Sequence, residues 1–167
     1  PGGYSLATAK DYGNLEMIAD WRLLRVLGDS GFYLRGMPQV QIWDPHTWGG
    51  LGSGGLYNNA RTISNATSCE DRPIGDWNRC RMRLVGNRAT VWLNGVKVVD
   101  DVEYENCRDA AAGIPLIEQI ELQCHGDPIE FRNLFIRELP EADEDIPDPS
   151  AAVRGEKVDL LKDGMAG

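Results

Sequence analysis

The sequence lacks any apolar run close to the roughly 18 residues that a membrane helix requires, so no membrane span is expected. It also lacks a basic patch, since 17 Lys and Arg residues stand against 26 Asp and Glu residues, for a net charge of −9. An acidic chain disfavours nucleic acid and anionic membranes as partners. Neither a starting Met nor a signal peptide is present at Pro1, so the sequence predicts a processed or excised piece.

Cysteine is scarce and irregularly spaced. The four cysteines contain no C-x-x-C pair, which argues against a zinc knuckle; they are Cys69, Cys80, Cys107 and Cys124. Two disulfides in an exported protein and four buried thiols are both compatible with an even set. We expect at least one disulfide, with export to the periplasm, the cell surface or the medium.

Motifs for several kinds of catalysis are also missing. The glycine-rich stretch 45–55 has no Lys-Ser/Thr after it and starts no helix, so a nucleotide-binding loop is not expected. No nucleophile-elbow motif marks a serine hydrolase. Four residues could hold a divalent cation, although no two have diagnostic spacing: Asp44, His46, Glu121 and His125. The prediction is therefore no cofactor and no resident metal.

Most of the recognisable patterns in the sequence are those of β-strands and tight turns. Gly86-Asn87 and Asn94-Gly95 separate apolar alternations, and Asn-Gly is a strong hairpin cue because both turn residues take positive φ. The 19 glycines and five tryptophans suit a turn-rich β protein. No amphipathic helix of normal length is visible. The sequence predicts an all-β sandwich over residues 1–139.

Two short predicted strands on either side of Gly36-Met37-Pro38 carry a polar face. Successive side chains on a strand alternate between faces, so the apolar residues point to one side. The opposite side carries Tyr33, Arg35, Gln39, Gln41 and Trp43, and Tyr57 beyond the glycine-rich stretch forms a rim. Such a face suits a sugar, because hydroxyls need hydrogen bonds and pyranose faces pack on rings. The alternative is an ordinary solvated sheet face.

Residues 120–126 repeat this pattern, with Glu121, Gln123 and His125 facing out together. His and Glu carry protons near neutral pH, so His125, Glu121 and Asp44 are the candidate catalytic residues. Arg35 is the candidate to hold an oxyanion. Glu121 and Asp44 would also be a carboxylate pair for a glycosidase. The alternatives are a turn role for His125 and a loop role for Asp44.

Several separated motifs resemble one known family. They stand in chain order at 28–36, 39–44, 52–59, 75–78, 93–95, 120–126 and 131–139. Together they closely resemble the 3-keto-disaccharide hydrolase family, over roughly residues 1–139. The agreement of so many motifs in both sequence and order makes the resemblance specific.

The resemblance implies a concanavalin-like jelly-roll β-sandwich of two antiparallel sheets, with a concave sheet face as the site. It implies a carbohydrate partner, namely a glycoside whose sugar is oxidised to a ketone at C3. His125 or Glu121 would then be the base or acid, with Arg35 and Gln41 binding the keto oxygen and the hydroxyls. The other substrate-binding residues would be Tyr33, Gln39, Trp43, Tyr57 and Gln123.

Two features depart from the family pattern. Gln39 stands where many relatives carry Glu, which removes a carboxylate and leaves open a non-catalytic sugar-binding module. Residues 158–167 resemble the family's opening strand, although they follow an acidic, proline-containing stretch at 140–157 that predicts a linker. We expect this strand to complete the sandwich of this or a neighbouring molecule, or to start a second copy. A structural assembly unit is therefore a third candidate function.

Overall fold

The computed structural model describes residues 4–36, 39–59, 61, 65–109, 111–140 and 156–157. These ranges contain eleven strands and one short 3₁₀ turn, Trp48–Gly50. None of their helical segments is long and apolar enough to cross a membrane. The regular secondary structure of the described residues is thus almost entirely β, as the strand signals predict.

The strands form two sheets. In chain order they are β1 (Tyr4–Ala7), β2 (Leu15–Leu23), β3 (Asp29–Tyr33), β4 (Gln39–Trp43), β5 (Leu56–Tyr57), β6 (Asn78–Val85), β7 (Arg88–Leu93), β8 (Val96–Glu103), β9 (Glu121–Cys124), β10 (Ile129–Glu138) and β11 (Glu156–Lys157). One sheet has the order β1-β9-β3-β4-β5 and the other β11-β10-β2-β6-β7-β8, and the neighbouring strands run antiparallel. This architecture confirms the predicted jelly-roll β-sandwich.

The core lies between the two sheets and follows the alternation in the sequence. Leu15, Met17 and Ala19 of β2 are buried, as are Phe32 of β3 and Val40 of β4. Removing these apolar side chains from water is the main term that favours the folded state. Each sheet therefore turns its polar positions outward, and the two outer faces are where ligands have access.

The tight turn between β7 and β8 forms where the hairpin cue predicts it. Asn94 and Gly95 have φ angles of 51° and 92°, as an Asn-Gly hairpin turn requires. The Asn94 side chain also bonds outside the turn, because its Nδ2 donates to the Glu70 carbonyl at 2.7 Å. Strand β8 extends to Glu103, further than the apolar alternation alone indicates.

No disulfide joins the four cysteines, all of which lie in the described ranges, so the expectation of a disulfide is wrong. Cys80 of β6 is buried, and burial raises the pKa of its thiol, which stays protonated. The other three thiols lie at the surface. The cysteines therefore no longer support export, which stays a prediction.

A short strand, β11, lies at the edge of the six-stranded sheet. It runs antiparallel to β10, opposite Phe135 and Ile136. Its two residues belong to the stretch 140–157 that the composition predicts as a linker. Residues 158–167, which hold the predicted terminal strand, lie outside the described residues. Strand exchange with a neighbour stays a prediction.

Candidate functional site

The predicted polar face forms on the outer side of the five-stranded sheet. Tyr33 of β3 lies opposite Gln39 of β4 and opposite Glu121 of β9. Gly31 of β3 lies opposite Gln41. The apolar neighbours of these residues point into the core, as the alternation requires. The two separate polar segments of the sequence thus meet in one sheet.

Three glutamine amides form a chain across this face. Nε2 of Gln39 lies 2.7 Å from Oε1 of Gln41 and 3.0 Å from Oε1 of Gln123. Gln39 and Gln41 are only 3% and 2% exposed, so they form the floor of the face. An unpaired buried amide costs roughly 1–3 kcal/mol, so these mutual hydrogen bonds hold the floor in one arrangement.

Asp29 sets the direction of the amide chain at one end. Its Oδ1 accepts a hydrogen bond from Nε2 of Gln41 at 2.5 Å. A carboxylate only accepts, so Gln41 must turn its NH₂ group to Asp29 and its carbonyl oxygen to Gln39. Oδ2 of Asp29 lies 3.6 Å from Nδ1 of His125, whose side chain is 56% exposed. This distance is too long for a hydrogen bond but suits an ion pair with a protonated ring.

Tyr33 ends the amide chain on the other side. Nε2 of Gln123 donates to the Tyr33 hydroxyl oxygen at 3.2 Å. The phenol hydrogen is then left to donate to a ligand or to Glu121, its cross-strand neighbour. Burial and, after it, the negative charge of Glu121 raise the pKa of Tyr33. The phenol is therefore a proton-bearing donor throughout the neutral range.

The floor of the face requires glycine at position 31. A Cβ built on Gly31 would lie 2.5 Å from Nε2 of Gln39. The Gln39 side chain lies across the strand at this point and fills the space that a side chain on β3 would occupy. Gly31 is therefore part of the site, since it lets the Gln39 amide reach both Gln41 and Gln123.

Aromatic rings meet at the β4–β5 edge of the face. Trp43 and Tyr57 lie edge to face, with their ring centroids 6.0 Å apart. Trp43 is largely buried and its Nε1 donates to the Gly52 carbonyl at 2.7 Å, so it supports the wall. Tyr57 is 52% exposed and lies opposite Gln39 in register. Its ring is thus open to pack on a pyranose face.

Arg35 does not join this face, contrary to the prediction. Strand β3 ends at Tyr33, and residue 35 has a φ of 55°, so the alternation of a strand no longer applies to it. Its guanidinium is buried and donates to the carbonyls of Leu116, at 2.9 Å, and of Gly86. Gly86 lies in the β6–β7 turn of the other sheet, so Arg35 ties the two sheets together. Burial lowers the pKa of Arg35.

Asp44 also has a structural position. It is 2% exposed, and its two oxygens accept hydrogen bonds from the backbone N–H groups of Leu27 and His46, both at 2.9 Å. These bonds, led by the one from Leu27, lower the pKa of the Asp44 carboxyl. With both oxygens engaged by loop backbone, Asp44 fits the loop role better than that of an acid or nucleophile.

The four candidate cation ligands do not come together. Within the ranges that the structure describes, no three His, Cys, Asp or Glu side chains are grouped as metal ligands would be. Of the four, His125 has Asp29 as its carboxylate neighbour, whereas Asp44 bonds the backbone of His46.

Two residues near the face have no clear signal as site residues in the sequence. Asp29 reads as a turn residue, yet it opens β3 and shares a face with Gly31 and Tyr33, which the alternation could have indicated. Arg108, in the connection after β8, partly offsets the rise in the pKa of Tyr33 through its charge. That connection has no periodic pattern, so no sequence signal pointed to Arg108.

The fold and this face define a glycosidase-like or carbohydrate-binding module. Sugar hydroxyls require donors and acceptors in fixed positions, which the amide chain supplies, and sugar faces require an open ring such as Tyr57. The chain belongs to the family described as the 3-keto-alpha-glucoside-1,2-lyase-like domain, which it matches over residues 1–137. No match was found among curated proteins.

One solved structure supports the same class, and two others share the fold. The chain is 26% identical to a presumed glycosyl hydrolase from Parabacteroides distasonis, with a TM-score of 0.67, covering 82% of this chain and 84% of that one. A second presumed glycosyl hydrolase from that organism is 20% identical, with a TM-score of 0.67 and coverage of 84% and 76%. The carbohydrate-binding module CBM66 from Bacillus subtilis shares the fold at 12% identity, with a TM-score of 0.52 and coverage of 82% and 83%.

Proposed function

We propose that this domain cleaves 3-keto-glycosides by elimination at the amide-lined face of the five-stranded sheet. The observation that carries the proposal is the continuous chain from Tyr33 through Gln123, Gln39 and Gln41 to Asp29, with His125 beside it. Family membership supports the substrate class, because the family is described as 3-keto-alpha-glucoside-1,2-lyase-like.

The chemistry requires a base, a donor to an oxyanion and a proton for the leaving group. A ketone at C3 acidifies the C2 proton. When a base removes that proton, the electron pair forms an enolate, which collapses to a C1–C2 double bond and breaks the bond from C1 to the glycosidic oxygen. The departing oxygen takes up a proton. Water that adds across the double bond would then complete a net hydrolysis.

Glu121, at the start of β9, and His125, directly after its end, lie at opposite ends of the face. Glu121 and His125 are four residues apart, so their backbones are separated by about 13 Å. The two residues of a disaccharide cover a comparable length, so each sugar can lie beside one of these two side chains. We therefore assign the reacting sugar to one end of the face, beside His125, and the second sugar to the other end, beside Tyr33 and Glu121.

His125 is the proposed base at the reacting end. An imidazole can take up a proton, and Oδ2 of the Asp29 carboxylate lies 3.6 Å from Nδ1 of the ring that would carry the charge. The C2 proton and the glycosidic oxygen of an α-glucoside lie on opposite faces of the ring, so the leaving oxygen takes its proton from water. The Gln123 amide has a second N–H, beyond the one bonded to Tyr33, to donate to the enolate oxygen.

Turnover of a 3-keto-α-glucoside by the purified domain tests the proposal. The expected result is release of the leaving alcohol, with loss of the C2 proton and with no action on the unoxidised glycoside. His125→Gln should lower kcat on the order of 100-fold or more while the domain stays folded. Absence of turnover by a folded wild-type domain would overturn the catalytic role.

A non-catalytic carbohydrate-binding module is the second candidate. The observation in its favour is Gln39, which occupies the floor as an amide and bonds two other amides rather than acting as a carboxylate. A module of this kind would bind a sugar with unchanged affinity in His125→Gln and would turn over no 3-keto-glycoside. Measuring binding and turnover on the same variant separates the two functions.

A further inference from the structure

A cavity opens on the outer face of the six-stranded sheet. It has a volume of about 430 Å³ and lies on the six-stranded sheet, so the sandwich core separates it from the glutamine face. Asp20 of β2 lies directly between Arg79 of β6 and Arg132 of β10 in the strand register. Arg72 and Trp77 line the same cavity from the segment that leads into β6.

The carboxylate at the base of this cavity is fully engaged. Asp20 is 3% exposed; its Oδ1 lies 2.8 Å from Nε of Arg79 and its Oδ2 lies 3.4 Å from Nε of Arg132. Asn133 donates to Oδ2 as well, at 2.8 Å. Burial alone would raise the pKa of Asp20, but the hydrogen bonds from Arg79 and Asn133 lower it on balance. Asp20 therefore stays charged and orders the arginines.

The positive charge exceeds the negative charge at this site. Three guanidinium groups, of Arg72, Arg79 and Arg132, line the cavity together with one carboxylate. The Arg79 and Arg132 side chains are 62% and 49% exposed, so donors not bonded to Asp20 face the cavity and the solvent. The guanidinium of Arg72 has no hydrogen-bond partner among the described residues. A local surplus of about two positive charges stands out in a chain of net charge −9.

The guanidinium groups of Arg79 and Arg132, and the backbone of Arg72, are held in place before any ligand arrives. The Arg132 guanidinium lies 3.8 Å from the ring centroid of Trp77, within the range of a cation–π contact. The backbone N–H of Arg72 donates to Oδ1 of Asn78 at 2.8 Å, and Asn94 donates to the same oxygen at 2.8 Å. Such preorganisation lowers the entropic cost of ordering these side chains when a ligand binds.

We propose that this cavity binds an oxyanion carried by a sugar, either a uronate carboxylate or a sulfate ester. Guanidinium groups pair with carboxylate and sulfate oxygens through charge-assisted hydrogen bonds, which explains three arginines around one cavity. The volume falls in the range of about 300–1,000 Å³ that small-molecule sites occupy and is larger than a bare ion needs. That the anion belongs to a sugar rests on the proposed function of the glutamine face, whereas anion binding itself does not.

Calorimetric titration of the whole domain tests the proposal with four ligands: a uronic acid oligosaccharide, a sulfated oligosaccharide, the matching neutral oligosaccharide and inorganic sulfate. We expect an acidic oligosaccharide to bind more tightly than both controls, and to bind more weakly as salt increases. Equal affinity for the neutral sugar would overturn the anion site. Equal affinity for inorganic sulfate would overturn the assignment to a sugar.

Variants link the binding to this cavity. Arg72→Gln removes an exposed guanidinium and leaves Asp20 with its partners, so the fold should be unaffected while affinity for the acidic sugar falls about tenfold. Arg88→Gln is the matched control, because Arg88 is an exposed arginine of β7 that pairs with Asp101 outside the cavity. Unchanged binding in Arg72→Gln, or equal loss in both variants, would overturn the site.

His125→Gln separates this inference from the proposed function. It should leave binding of the acidic sugar at the arginine cavity intact while it removes turnover at the glutamine face. If the wild-type domain shows no turnover but Arg72→Gln still weakens binding of the acidic sugar, the proposed function fails and the cavity stands.

Discussion

Oδ2 of Asp29 lies 3.6 Å from Nδ1 of His125, and the two residues come from opposite ends of the sandwich sequence. The other oxygen of the same carboxylate accepts the Gln41 amide at 2.5 Å. One side chain therefore joins the proposed base to the floor that positions the substrate. A change at Asp29 should affect both, which makes it the most informative position on the face.

Asp29→Asn should lower kcat about tenfold or more and change KM less, because the amide cannot stabilise a protonated imidazole. The amide can still accept from Gln41 through its oxygen, so the floor should persist. Steady-state kinetics on a 3-keto-glycoside measure the separate effects on kcat and KM. In the His125→Gln background, adding Asp29→Asn should lower kcat little further, since the two residues act as a unit. Fully additive losses would contradict this coupling.

Gly31→Ala should disrupt the amide floor, because the new Cβ would lie 2.5 Å from Nε2 of Gln39. We expect a loss of about 1–3 kcal/mol in unfolding free energy, as for other overpacked sites, together with weaker sugar binding. Urea denaturation and a sugar titration measure the two effects. Gly113→Ala is the control, since nothing lies within 4 Å of a Cβ at that position. Equal behaviour of both variants would refute the packing argument.

Arg35→Met should destabilise the fold by about 2–4 kcal/mol, because the carbonyls of Gly86 and Leu116 lose their buried donor. Sugar affinity of the folded fraction should be unchanged, since the guanidinium does not reach the glutamine face. Arg88→Met, at an exposed pair, should leave the unfolding midpoint close to that of the wild type. A variant of normal stability that no longer binds sugar would restore Arg35 as a substrate anchor.

Tyr33→Phe should weaken sugar binding about five- to tenfold, because it removes the phenol donor and leaves the Gln123 N–H without its acceptor. The pKa of Tyr33 is raised above its ordinary value of 10.0, so the phenol keeps its proton through the neutral range and past that value. The ratio of the wild-type sugar affinity to that of Tyr33→Phe should therefore be constant between about pH 6 and pH 9. A fall of this affinity ratio below about pH 9 would show that the phenol loses its proton at a lower pH than expected.

Acid should destabilise the domain partly through Asp20. Its pKa in the folded state lies below the ordinary 3.8, so the unfolded chain binds more protons than the folded chain in this range. The contribution of Asp20 to the free energy of unfolding is fully present above pH 3.8. It is lost as the pH falls through the lowered pKa of the folded state. Urea midpoints between about pH 6 and pH 2 should fall less steeply in Asp20→Asn than in wild type. Asp100→Asn, at an exposed surface pair, should follow the wild-type profile.

Much of the fold is predictable from local pattern. The turn at Asn94-Gly95 and the alternation in β2 and β6 follow from positive φ and from a period of two, both of which are properties of short segments. The same alternation correctly places Tyr33, Gln39 and Gln41 on one face. Strand ends are less predictable, because hydrogen bonds to neighbouring strands decide how far a strand continues.

The site is only partly predictable, and Arg35 and Asp44 show why. Arg35 continues an alternating pattern in the sequence, but the strand ends two residues earlier and the backbone turns its side chain toward the other sheet. Asp44 precedes a loop whose backbone N–H groups use both of its oxygens. In both cases the partner lies in a segment whose approach only the folded chain determines.

The sequence by itself determined an all-β chain, its two polar segments and its family, because these depend on alternation, turn residues and ordered motifs. The tertiary structure alone decided that β3, β4 and β9 are neighbours, that three glutamines bond one another, and that Asp29 lies beside His125. It also decided that Asp20 collects arginines from two flanking strands on the opposite face. Such contacts join residues far apart in the chain, and strand pairing, which local pattern does not specify, brings them together.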